Sequence, residues 1–193
     1  MIIIFDCEST GLPVDWKAPM SQLNNWPRVI QLAWIKTDMK GNELTRGEYL
    51  IKPDGWEMPS GSFWVDNGFT QMESMTLGAP ISDVLDLFIK DIETSEFLVS
   101  HNMSFDYNVV GSEMLRAGKK SEVKLKRICT KEAGTDICQI PGPYNKFKWP
   151  KLEELHQFLF NKGFEGAHDA LSDVIACKDC FFKLIEQCAI TLN

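Results

Sequence analysis

The chain opens MIIIFDCESTG, where an unbroken apolar run from Ile2 to Phe5 leads straight into Asp6 and Glu8. A short apolar run that ends in polar turn residues reads as a buried strand. Strand side chains alternate faces, so Asp6 and Glu8 share one face and Cys7 takes the other, away from them. Two neighbouring carboxylates on one face repel, and burial disfavours charge on either. A bound cation is the simplest device that offsets both effects. Ser9, Thr10 and Gly11 then turn the chain at the strand end.

The chain has 193 residues, which predicts a single domain over residues 1–193 with room for a real core. A net charge of −7 argues against wrapping duplex DNA through many Lys and Arg contacts to phosphate. It does not exclude an enzyme that holds a few nucleotides through metal ions. The opening run lacks a charged leader and is cut short by Asp6, so no secretory signal is expected. No stretch approaches the roughly 20 apolar residues of a membrane span. Cysteines 7, 129, 138, 177, 180 and 188 show no disulfide-framework spacing, which predicts reduced thiols and a cytoplasmic location. Cys177 and Cys180 spell C-x-x-C inside a helical pattern, without the second pair that a zinc site needs.

Strands are expected at 1–7, 29–37, 44–52, 97–99 and 124–129, with MKGN as the hairpin turn between the second and third. Apolar spacing predicts helices at 81–92, 104–117, 151–160 and 169–190. Residues 12–27, rich in proline and tryptophan, read as an irregular insertion, and 53–79 as loop and short helix. The order predicts an α/β fold with a mixed sheet flanked by helices.

Three islands carry residues capable of chemistry: Asp6-x-Glu8; HNMSFD, with Asp106 in the first turn of a helix; and HDALSD, with His168 and Asp173. Taken in order, they resemble the DEDDh, or DnaQ-like, family of 3′–5′ exonucleases, along nearly the whole chain. KWPKLEEL, before the third island, is similar to the family as well. The resemblance implies a ribonuclease H-like fold with a mixed five-stranded sheet. It implies that Asp6, Glu8, Asp106 and Asp173 hold two Mg²⁺ or Mn²⁺ ions, and that His168 is the general base that activates water. Hard oxygen ligands suit those ions, and paired ions suit in-line phosphoryl displacement. The resemblance also implies that Thr10, Gly11 and Leu12 lie against the 3′-terminal nucleotide, with Leu12 wedged beside a base; ordinary packing is the alternative for Leu12.

His168 and Asp173 are five residues apart, roughly 140° out of line on a helix, so His168 is expected in the preceding loop and Asp173 on the helix. Asp169 is expected to cap that helix. His101 reads as structural, Asn102 as either a helix-start partner or a substrate contact, Phe105 as core, and His156 as a surface or partly buried residue without a role. Trp16, Trp26, Phe63 and Trp64 could stack on unpaired bases, though packing is the commoner use of such residues. Two basic clusters, 119–127 and KFKWPK at 146–151, break the acidic background; the second combines Lys, Phe and Trp in a way that can grip a single strand.

The expected activity is hydrolysis from the 3′ end of single-stranded DNA, with release of nucleoside 5′-monophosphates. An exoribonuclease of the oligoribonuclease or ribonuclease T kind, a polymerase proofreading subunit, and a binding module that keeps the fold without the chemistry are the alternatives. A polymerase or a second copy as partner stays open. The complete set of carboxylates with His168 speaks against the binding module.

Overall fold

The computed structural model describes residues 1–121 and 123–192; Glu122, within the 119–127 cluster, and Asn193 lie outside the described residues. The sheet is built from β1 (Ile2–Ser9), β2 (Val29–Thr37), β3 (Glu43–Leu50), β4 (Phe97–Ser100) and β5 (Lys126–Cys129). Its spatial order is β3-β2-β1-β4-β5. The first three strands form an antiparallel meander, while β4 and β5 run parallel to β1. The mixed five-stranded sheet is as expected, with strand bounds shifted by a residue or two.

Helices α1 (Ser62–Asp66), α2 (Gln71–Leu77), α3 (Ile81–Ile92) and α4 (Met103–Arg116) are followed by α5 (Thr130–Cys138), α6 (Leu152–Phe160) and α7 (Ala170–Glu186). Alternation along β1 splits the core into two layers. Ile3, Phe5 and Cys7 pack with residues of α3 and α4, including Val84, Phe88, Val109 and Val110. Ile2 and Ile4 pack on the other face with Leu155 of α6 and Val174, Cys177 and Phe181 of α7. Every residue of β2 is buried, which explains its near-continuous apolar run: helices cover both faces of the sheet.

Helix α5 is an element that periodicity did not reveal. Its segment, TKEAGTDIC, is mostly polar, and it is held by tertiary contact instead. Gly134 permits that contact, because a β-carbon there would lie 2.7 Å from Leu155 Cδ1.

The irregular 12–27 insertion is tied to α4 through polar groups. Glu113, 1% exposed, accepts from Arg28 Nε at 2.7 Å and from Arg116 Nη1 at 2.9 Å. Arg116 Nη2 donates to the Leu23 and Trp26 carbonyls at 2.6 and 2.7 Å. Trp26 is buried in the core of this face and so cannot meet a base.

Among the described residues no helix is long and apolar enough to cross a membrane. The cysteines are free thiols, and Cys177 and Cys180 are buried in the α7 core, in keeping with a C-x-x-C of spelling only.

Candidate active site

Asp6 and Glu8 extend the same face of β1 as Ile2 and Ile4, toward α7, which carries Asp173. Asp106 arrives from the opposite layer, on the first turn of α4 where that helix follows β4. Both of its oxygens are occupied: Ser100 Oγ donates to Oδ2 at 3.0 Å and Cys7 Sγ to Oδ1 at 3.4 Å. Cys7 does face away from Asp6 and Glu8, but it is not a bystander. The face it takes is the one from which Asp106 enters, so the thiol orients that carboxylate.

The electrostatics are those of a crowded, half-dry cluster. Burial, and then the charges of Asp106, Asp173 and Glu8, hold the Asp6 carboxyl well above the usual range. Burial and Asp173 push Glu8 up to about 8. Asp106 is pushed up to about 6 by burial, against the opposing hydrogen bonds from Ser100 and Cys7. Asp173 is raised to about 6 by burial, against the His168 N–H that donates to it. Among the described residues no Lys or Arg forms an ion pair with any of these four. A site that gathers acids and supplies no internal counter-charge has the donor chemistry of a hard divalent cation site. Ligand atoms of Glu8, His168 and Asp173 lie within 4.8 Å of one another, close enough to share one ion.

His168 stands outside α7, in the loop before it, with φ of +71°. That left-handed conformation is uncommon for a residue with a β-carbon. Its N–H donates to Asp173 Oδ2 at 3.3 Å, so loop and helix are joined at the site. Asp169 caps α7, accepting from Ser172 N at 3.0 Å. Gln31 of β2 locks that cap in place: its Nε2 donates to Asp169 Oδ1 at 2.9 Å, and its Oε1 accepts from Ala170 N at 2.9 Å.

The exonuclease (RNase T) family model matches residues 3–181. The chain belongs to this exonuclease family. Its DnaQ-like character and its ribonuclease H-like sheet are as the three islands implied. Among solved structures, E. coli exonuclease I in complex with a dT13 oligonucleotide aligns at TM-score 0.72 and 19% identity, over 96% of this chain and 40% of that one. The zinc ion bound form of the E. coli exonuclease I–single-stranded DNA complex aligns at TM-score 0.70 and 19% identity, again over 96% and 40%. A product-bound exonuclease I aligns at TM-score 0.72 and 17% identity, over 96% and 43%. The chain thus spans about 40% of the length of the exonuclease I chains it matches. No curated protein sequence matches it significantly.

In this member of the family the carboxylates open into a cleft of about 470 Å³, whose walls include Asn102, Phe105, Lys131, Trp149, Lys151 and Phe164. Phe105, expected in the core, is only half-buried at the cleft and packs against Trp16 at 5.8 Å between ring centroids. Thr10 is built into the turn after β1: its N–H donates to the Arg28 carbonyl and its Oγ1 accepts from Arg28 N, both at 3.0 Å. Gly11 is half-buried in the same turn, its carbonyl accepting from Ser9 Oγ at 2.8 Å. Leu12 is 72% exposed, which removes ordinary packing as the reason for it. Asn102 does not cap α4 with its side chain; it accepts from Lys131 Nζ instead.

His101 is structural, as expected. Its Nε2 lies 3.0 Å from the Pro150 carbonyl, which can only accept, so Nδ1 accepts from Thr130 Oγ1 at 2.9 Å. Burial lowers this imidazole to about 4, which keeps it neutral. His156 is more buried than expected, and its Nδ1 donates to the Lys162 carbonyl at 2.9 Å. Trp64 is half-buried and donates from Nε1 to the Ser9 carbonyl at 3.1 Å, so it braces the turn rather than waiting for a base. Gln31 and Lys131 were not singled out from sequence. Each lies far along the chain from the group it serves, and neither carries a local signal.

Proposed function

We propose that this chain is a metal-dependent 3′–5′ exonuclease that shortens single-stranded DNA and releases nucleoside 5′-monophosphates. One observation carries the proposal: four crowded, mutually repelling carboxylates, Asp106 buried and the other three half-buried, meet a loop histidine at an open cleft. Asp6, Glu8, Asp106 and Asp173 would hold two Mg²⁺ or Mn²⁺ ions. When bound, the ions supply charge stabilisation for an in-line displacement at phosphorus. His168, anchored through its backbone to Asp173, accepts the proton of the attacking water. The Thr10–Gly11 turn receives the terminal nucleotide, exposed Leu12 lies beside its base, and Asn102 contacts it from the far wall. The similar exonuclease I structures are complexes with dT13 and with single-stranded DNA, which favours DNA over RNA as the substrate of this chain.

The deciding experiment offers 5′-labelled DNA and RNA oligomers of one sequence side by side, with a 3′-blocked control. With Mg²⁺ or Mn²⁺ the DNA should shorten stepwise to a ladder, and EDTA or the 3′ block should stop it. An unchanged strand in both metals would remove the enzyme, and preferential shortening of RNA would transfer the activity to the exoribonuclease class.

A further inference from the structure

Residues 140–151 form a small hairpin that the proposed chemistry does not use. Gly142 N donates to the Lys146 carbonyl at 2.8 Å and Lys148 N to the Ile140 carbonyl at 2.9 Å, with a bridge between Pro141 and Phe147. The hairpin wastes its aromatic residues if packing is their purpose: Tyr144 at its tip is 94% exposed, Phe147 46% and Trp149 61%. Lys148 turns the other way and pairs with Glu154 at 2.6 Å. Extended chain alternates faces, so Phe147 and Trp149 share the open side, roughly 6.6 Å apart along the backbone. Trp149 lines the cleft that holds the carboxylates, and Phe147, two residues before it, does not. Lys131 Nζ sits 4.4 Å from the centroid of the Trp149 ring, and Lys146 and Lys151 are exposed nearby in the chain. In a chain of net charge −7, this is a basic and aromatic strip that leads into an acidic site.

We infer that this hairpin is the track for the single strand behind its 3′ end, an assignment that rests on the proposed exonuclease reading. Trp149 stacks on a base inside the cleft, and Phe147 stacks on a base further from the scissile end. Lys131, Lys146 and Lys151 neutralise the phosphates between them. Aromatic faces grip any base, so the track confers affinity without sequence preference. It also sets a minimum length below which a strand is held only at its end.

Fluorescence anisotropy with 5′-labelled dT2, dT4 and dT8 in EDTA isolates the hairpin, because the metal-free carboxylates attract no phosphate. Affinity should climb from dT2 to dT8 in the wild-type protein. Trp149→Ala should weaken dT8 about tenfold, Phe147→Ala less, and Trp149→Phe should retain most of the affinity. Phe158→Ala, which removes an exposed aromatic of α6 that does not line the cleft, should bind as wild type. Lys146→Gln should lower the slope of log affinity against log salt by about 0.7. Because Trp149 is mostly exposed, its removal leaves the core intact. If the Trp149→Ala, Phe147→Ala double variant binds dT8 like the wild type, the track is wrong, even where Mg²⁺-dependent shortening is normal. If the length dependence and the Trp149 effect appear in a protein that shortens no strand, the track stands and the exonuclease proposal falls.

Discussion

The ring of Phe63 stands edge-on to that of His168, with centroids 5.2 Å apart and planes inclined by 72°. His168 lies in a loop, in a strained left-handed conformation, so its imidazole depends on such contacts for its position. Helix α1 is too short to be stable alone, and the Trp64 bond to the Ser9 carbonyl ties it to the turn after β1. Phe63 is therefore read as a positioning residue rather than a stacking one. Phe63→Ala should lower kcat by between tenfold and a hundredfold with little change in KM, the range for a misplaced reacting group. His168→Ala should cost more, about a hundredfold to ten-thousandfold. The double variant should be no worse than His168→Ala alone; additive losses would show that Phe63 acts through something other than the imidazole.

Metal-free stability should fall as pH rises. In the unfolded chain Glu8 titrates near its ordinary value, whereas in the folded chain it titrates at about 8. Between those values the folded state holds a proton that the unfolded state has released, so deprotonation favours unfolding. Asp106 and Asp173, raised to about 6, add the same trend at lower pH. Thermal melts in EDTA should show Tm decreasing from about pH 5 to about pH 8. Mg²⁺ should restore it most at the upper end. Asp6→Asn should raise the metal-free Tm at the upper end while abolishing strand shortening. A Tm that is flat with pH, or lowered by this substitution, would mean that the carboxylates do not repel one another as described.

Asp169 and Asp173, one helical turn apart, should separate cleanly. Asp169 caps α7 and is held by Gln31, so Asp169→Ala should cost about 1 kcal/mol of stability. Asp169→Asn, which can still cap, should keep most of the activity. Asp173→Asn should lose it without loss of Tm in EDTA. Equal activity losses for Asp169→Asn and Asp173→Asn would place Asp169 among the metal-binding carboxylates.

Glu113 holds the 12–27 insertion against α4 while facing two guanidiniums. Glu113→Ala leaves Arg116 partly buried without its partner and should cost about 3 kcal/mol in urea unfolding. Because Arg28 also supports Thr10, KM for DNA should rise as well. A loss of stability with KM unchanged would detach the turn from this network.

The strand β1, the helix α7 and the succession of strands and helices that implies a mixed sheet were legible because each rests on a local pattern: a short apolar run, a 3.6-residue stripe, turn residues between them. The placement of His168 outside α7 followed from its five-residue spacing to Asp173, since helical geometry forbids a shared face. Helix α5 was not legible, because its stability comes from Leu155 packing over Gly134 rather than from a stripe of its own. Trp26 and Phe63 could not be told apart from sequence: both are aromatic residues in irregular segments, and only packing buries one and sets the other on an imidazole.

By itself the sequence determined which acids exist, on which strand or helix each sits, and that Asp6 and Glu8 point the same way. These follow from the two-residue and 3.6-residue repeats of the backbone. Only the tertiary structure decided that Asp106 enters from the opposite layer against Cys7, that Gln31 holds the cap of α7, and that Lys131 and Trp149 meet in the lining of the cleft. Those contacts join residues distant in the chain, and their energies depend on burial and on distances that no local repeat encodes.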